Sequence, residues 1–216
     1  LCNCKKYGQD FAIKRTSKYR ITESEYATIK SLDHPNIIKL YDAFEDESAQ
    51  YLVMEYCSNG TLKDKKRISE EKFINYAKQI ISAVSYCHSK NIAHRDIKPD
   101  NIFIDQYDKI KLADFGLAKK LDTYEESDKL YGSMRCFSPE KLSSPSFCPF
   151  KADVWSLGIT LFYMITGYFP YDAKYPEELK HYIIYDYIDF AALDIHPKIK
   201  FIISKAVTKN PKQRPT

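Results

Sequence analysis

The sequence predicts an α+β fold in two unequal parts, a small β-rich portion with one helix followed by a larger, mainly helical portion. Three observations lead there. Short β-branched and apolar runs separated by polar turns crowd the first part of the chain. From Ser69 onward the apolar residues fall on helical faces instead. The most apolar stretch, Val154 to Ile165, is about a dozen residues, short of the roughly 20 a membrane span needs, and so reads as a buried core helix.

In chain order, Asp10-Phe-Ala-Ile-Lys14, Ile37 to Phe44 and Gln50 to Met54 are predicted strands of one small sheet. Between the first two, Glu23 to Leu32 is a predicted helix, ended by His34-Pro35-Asn36. Cys57-Ser58-Asn59-Gly60 reads as a hinge, dividing residues 1–56 from 57–216. A helix then starts at a Ser69 cap, with Glu70 and Glu71 suiting its N-terminus, and Phe73, Ala77, Ile80, Ile81, Val84 and His88 share one face. Ile102 to Asp105 and Lys109 to Ala113 are short strands around a Gln106-Tyr107-Asp108 turn, which puts charged residues on loops at both strand ends.

With 216 residues and 44% hydrophobic content the chain can bury one sizeable core. A net charge of +4 is too small to suggest a nucleic-acid surface, and the basic run Lys63, Lys65, Lys66, Arg67 reads as a solvated loop. Six cysteines lack paired C-x-x-C spacing and no signal peptide is visible, which disfavours zinc sites and a disulfide framework. The expected address is intracellular and cytoplasmic, with no membrane or nucleic-acid partner.

His94-Arg-Asp-Ile-Lys-Pro-Asp-Asn101, followed by Asp114-Phe-Gly116, is where the sequence becomes specific. Phosphoryl transfer needs a carboxylate to orient a hydroxyl and accept its proton, a cation near the moving phosphate, and oxygen ligands for magnesium. Asp96, Lys98, Asn101 and Asp114 supply that set in order. Any one of them alone would more often cap a turn. Together they resemble the catalytic loop and D-F-G motif of protein kinases, and the resemblance extends over nearly the whole chain.

That resemblance implies a bilobal protein-kinase-like fold, with a small N-lobe and a helical C-lobe, using ATP and Mg2+. Asp96 would be the catalytic base, Lys98 would contact the γ-phosphate, and Asn101 with Asp114 would hold magnesium. Lys98, two residues beyond Asp96, favours the serine/threonine branch, with serine or threonine hydroxyls of proteins as acceptors. Phe11-Ala-Ile-Lys14 resembles the strand whose lysine grips the α- and β-phosphates, with Ala12 in the roof over adenine. Glu25 would pair with Lys14, although Thr22-x-x-Glu25 equally fits a capping box. In Tyr51-Leu-Val-Met-Glu-Tyr-Cys57, Met54 would be the gatekeeper and Glu55 and Cys57 the hinge contacts, while Met54 is also what any buried strand would carry.

Gly132-Ser-Met-Arg-Cys-Phe-Ser-Pro-Glu140 resembles the end of an activation segment, and Glu140 should pair with Arg214. Lys151-Ala-Asp-Val-Trp-Ser-Leu-Gly158 resembles the start of the family's central helix, whose Asp153 would bond the catalytic-loop backbone. Ile29, Leu40, His94 and Phe115 match an apolar column between the lobes, or are plain core. Arg95 implies an activation-segment phosphate placed by an upstream kinase, with Thr123, Tyr124 and Ser127 as candidates, and Ser133 is expected to bridge Asp96 and Lys98. Asp100 suggests basic substrates where Thr61 does not. His34-Pro-Asn-Ile-Ile-Lys-Leu-Tyr41 is similar to the calcium/calmodulin-dependent and AMP-activated group. By the same resemblance, the glycine-rich loop would precede Leu1 and further helices would follow Arg214, so the chain alone is expected to hold ATP poorly. The rival readings are a pseudokinase scaffold and a small-molecule phosphotransferase, the latter disfavoured by the activation segment.

Overall fold

The β-branched runs of the first part pair as one antiparallel sheet. The computed structural model describes residues 1–4, 8–17, 23–121 and 132–216. β2 (Gln9–Ser17) lies between β1 (Cys2–Cys4) and β4 (Ala49–Glu55), and β3 (Leu40–Glu45) flanks the other side of β4, giving the order β1-β2-β4-β3. The β2–β4 register sets Ala12 opposite Met54 and Lys14 opposite Leu52. The predicted strand from Ile37 begins only at Leu40. Ile37 bridges to Leu112 and the Ile38 N–H donates to Leu112 O at 2.8 Å, so these residues stitch the sheet portion to the helical portion. α1 (Glu23–Lys30) leads into this stitch, and Ile29 and Leu32 are buried beneath it.

α2 (Glu70–Ser89) starts as predicted, with Ser69 Oγ accepting the Lys72 N–H at 3.3 Å. Its buried face is Phe73, Tyr76, Ala77, Ile80, Ala83, Val84 and Cys87. Ile81 is 41% exposed, against expectation, because it stands about 100° round the helix from Ile80, outside that stripe. β5 (Ile92–Ala93) follows, then the hairpin of β6 (Ile102–Ile104) and β7 (Ile110–Leu112), and β8 (Lys119–Lys120) pairs with β5.

The later helices are α3 (Pro139–Ser143), α4 (Pro149–Thr166), α5 (Pro176–Tyr185) and α6 (Pro197–Ala206). Each opens on proline, whose missing N–H costs nothing in a first turn. α4 is buried on all sides, as its uniform apolarity predicts, and Trp155, Ile159 and Ile165 are fully enclosed. Gly158 lets α6 come close, since a Cβ there would stand 2.7 Å from Val207 Cγ1 and 2.8 Å from Ala206 Cβ. Among the described residues no helix is long and apolar enough to cross a membrane.

Candidate active site

The loop from His94 to Asn101 is anchored from the core outward. Asp153, buried on α4, accepts the His94 N–H on Oδ2 and the Arg95 N–H on Oδ1, both at 2.8 Å. These bonds hold Arg95 at φ 69°, a left-handed conformation that costs a side-chain-bearing residue roughly 1–3 kcal/mol. His88, from α2, adds a third bond, Nε2 to Asp153 Oδ2 at 3.0 Å. Burial alone would favour protonated Asp153, but the His88 hydrogen bond, the nearby imidazoles and the Arg95 N–H outweigh it, and its pKa lies below the ordinary value.

His94 is buried, and burial lowers its pKa, so it is neutral at physiological pH. Its Nε2 meets Ala113 O at 3.1 Å and its Nδ1 accepts the Asp96 N–H at 3.3 Å, which assigns the proton to Nε2. The ring packs edge-on against Phe115, with centroids 4.6 Å apart. Ile29, Leu40 and Phe115 all belong to the main hydrophobic core, and His94 packs against Phe115.

Asp96 Oδ2 accepts Lys98 Nζ at 2.8 Å and Asn101 Nδ2 at 2.9 Å, and the same Nδ2 donates to Asp96 O at 2.8 Å. Burial opposes the Lys98 charge, yet the hydrogen bond and charge of Asp96 raise its pKa, so it stays an ammonium. Asp96 Oδ1 faces Gly132: a Cβ there would stand 2.8 Å from it, and Gly132 has φ 103°. Only glycine can pass so close in that conformation.

Across the site, Lys14 Nζ on β2 donates to Asp114 Oδ1 at 2.5 Å. Burial pushes the Asp114 pKa up, but Lys14 and the Gly116 N–H pull it down further, leaving it below the ordinary value. Lys14, Asn101 and Asp114 line a cavity of about 210 Å³ whose walls include Ile38, Leu40, Leu52, Met54, Phe103 and Ala113. It joins the sheet to the β6–β7 hairpin, with a few polar groups converging in an apolar cleft.

The sequence-predicted residues thus converge. Lys14, Met54, Asn101 and Asp114 line the cavity, Asp96 and Lys98 adjoin it through Asn101, and Ala12 sits across from Met54. Glu55 is tied through its side chain to Lys111 Nζ at 2.7 Å, and Cys57 is buried beyond it, its thiol pushed up to about 12 by burial and then by the Glu55 charge. Glu25 lies on α1, and its side chain and Thr22 fall outside the described residues, as do Thr123, Tyr124 and Ser127. Ser133 does not bridge Asp96 and Lys98 among the described residues; those two bond directly. Sequence reasoning missed His88 as a support of the loop, because a histidine on an apolar helical face reads as core.

A sequence-family model described as the protein kinase domain matches residues 1–216. The chain belongs to that family. Among curated relatives it is 36% identical over 197 residues to sperm motility kinase 2B of Mus musculus, which covers 89% of this chain and 40% of the mouse protein. It is 39% identical over 187 residues to calcium-dependent protein kinase 5 of Plasmodium berghei (strain Anka), covering 81% of this chain and 33% of that protein. With the probable serine/threonine-protein kinase MARK-A of Dictyostelium discoideum the identity is 34% over 201 residues, 91% of this chain and 19% of that protein. The chain therefore spans well under half the length of these relatives.

The kinase domain ties α3 to a late turn through Glu140 and Arg214. The guanidinium bonds both carboxylate oxygens, at 2.6 and 2.8 Å, and donates to the carbonyls of Thr208, Lys151 and Lys209. Arg214 is 3% exposed, and its fork is fully used, the condition under which a buried cation is tolerable.

Proposed function

We propose that this chain is the catalytic part of a protein serine/threonine kinase that transfers the γ-phosphate of ATP to serine and threonine hydroxyls of protein substrates. The observation that carries the reading is the asymmetry of Asp96. One carboxylate oxygen is held by Lys98 and Asn101, while among the described residues no hydrogen bond uses the other, which Gly132 closely approaches. A hydroxyl brought to Oδ1 would donate its proton there as its oxygen bonds phosphorus and the bond from phosphorus to the ADP oxygen breaks. Lys98, kept charged by Asp96, would offset the charge building on the phosphoryl oxygens.

The donor set fits magnesium and nucleotide. Asn101 spends its amide nitrogen on Asp96, and among the described residues no hydrogen bond uses its oxygen, which is left for a hard cation beside Asp114. Magnesium commonly takes one or two protein oxygens plus phosphate and water, and when bound it neutralises phosphate charge. Lys14, already at Asp114, would hold the α- and β-phosphates, with Ala12, Met54, Glu55 and Cys57 around adenine and Glu25 steadying Lys14. We take residues 1–56 and 57–216 as the two lobes. We also infer an upstream activating kinase and a reducing cytoplasmic address, the latter supported by the free thiols of Cys2, Cys57, Cys87, Cys136 and Cys148.

The test is radiolabelled phosphate transfer from ATP with magnesium by the full-length protein, against its Asp96→Asn variant. Transfer should drop by about 10²–10⁴-fold in the variant. No transfer from folded protein, even after treatment with an activating kinase, would replace this reading with that of a partner-binding scaffold.

A further inference from the structure

The basic run at residues 63–67 is not uniformly solvated. Lys65, Lys66 and Arg67 are exposed, whereas Lys63 is half-buried, its Nζ 4.7 Å from the ring centroid of Tyr163 and 4.5 Å from that of Phe169. The wall it lies on is fixed. Tyr163 belongs to the buried α4 and its hydroxyl donates back to Lys63 O at 3.2 Å. The backbone is fixed as well, since the Lys63 N–H donates to Pro99 O at 3.3 Å, one residue from Lys98.

Aromatic faces attract an ammonium electrostatically but supply no counter-charge. Among the described residues no carboxylate pairs with Lys63. Asp64 accepts the Thr61 N–H and Oγ1, both at 2.8 Å, Asp172 is bonded by Arg135 at 2.8 Å, and no ion pair joins Lys63 to Asp100. A preorganised cation is thus left over.

Its place gives the charge a use. Arg135 stacks on the same Phe169, Cζ 5.6 Å from the centroid, in a turn just after Gly132, which passes against Asp96. Cys136 beside it feels the charges of Asp96, Asp100, Lys98 and Lys63 together. None of Lys63, Arg135 and Phe169 lines the cavity that holds Lys14 and Met54. They sit beside residues 132–136, the segment that passes against Asp96 at Gly132.

We propose that Lys63 is a specificity-determining residue that takes an aspartate or glutamate side chain of the protein substrate, a few residues from the phosphorylated hydroxyl. This rests on the kinase reading above. It runs against the basic-substrate expectation from Asp100, whose exposed carboxylate is free to turn to solvent while Lys63 is held on its wall.

The test is a positional-scanning peptide library phosphorylated by full-length wild-type, Lys63→Met, Lys63→Glu and Asp96→Asn proteins. Wild type should favour acidic over basic residues at one position near the acceptor by about fivefold, the upper range of a partly exposed charge pair. That ratio should fall to about one in Lys63→Met and invert in Lys63→Glu. Because each protein is scored by its own ratio, a variant of lowered stability still reports. Acidic residues unfavoured at every position in wild type, or a preference surviving in Lys63→Met, overturns the proposal alone. Absent transfer, or transfer that Asp96→Asn leaves intact, overturns the kinase reading and this one with it.

Discussion

Ser138 shows how one hydroxyl can be out of place. It stands at the N-cap of α3, where serine ordinarily accepts a backbone N–H, yet its side chain makes no such bond, and its fully buried Oγ has no partner among the described residues. A buried hydroxyl without a partner costs about 1–3 kcal/mol. Ser138→Ala removes it with almost no change of volume, so the variant should be more stable by about 1 kcal/mol, read as a raised urea midpoint with an unchanged slope. At this scale the sequence is legible where roles depend on order along the chain. Asp96, Lys98, Asn101 and Asp114 stand close enough in sequence for their spacing to carry the chemistry. Lys63 and His88 were not legible, since their partners Tyr163 and Asp153 lie 100 and 65 residues away.

At the scale of elements, the contact between α3 and the late turn rests on Glu140 and Arg214. Removing one member of a buried, fully bonded pair leaves the other charge uncompensated, at a cost of about 3–5 kcal/mol. Arg214→Met should destabilise the domain by that much in urea unfolding. The double variant with Glu140→Gln should lose less than the sum of the two single losses, because the stranded carboxylate is gone. The start of α2 was well marked by Ser69, which acts locally. The strand predicted from Ile37 was misplaced by three residues because apolar character marks burial, and Ile37 and Ile38 are buried against β7 rather than in the first sheet. Gly158 carries no sequence signal either; only the nearness of α6 explains it.

Across the whole molecule, buried titratable groups shape stability at alkaline pH. Lys141 is lowered to about 8 by burial and then by the Arg95 charge, and Lys209 to about 8 by burial. Between pH 8 and the ordinary lysine value of 10.5 the unfolded chain binds more protons at these sites, so their contribution rises with pH. Cys57, Cys87 and Cys136 are raised by burial from 9.0 to about 12, so in that window the folded state binds more protons and stability falls. Two rising groups lead below the thiol value and three falling groups lead above it. Taken over these five groups, stability should climb gently from pH 8, turn over near about pH 9 and fall beyond, as a series of thermal midpoints would show. Asp153 carries a different consequence for the same whole. Because the loop bearing Asp96 hangs from a buried carboxylate near the start of α4, its shape persists only while that helix stays packed. On heating, loss of activity would then keep step with cooperative melting rather than run ahead of it, and the working site would have no softening temperature of its own.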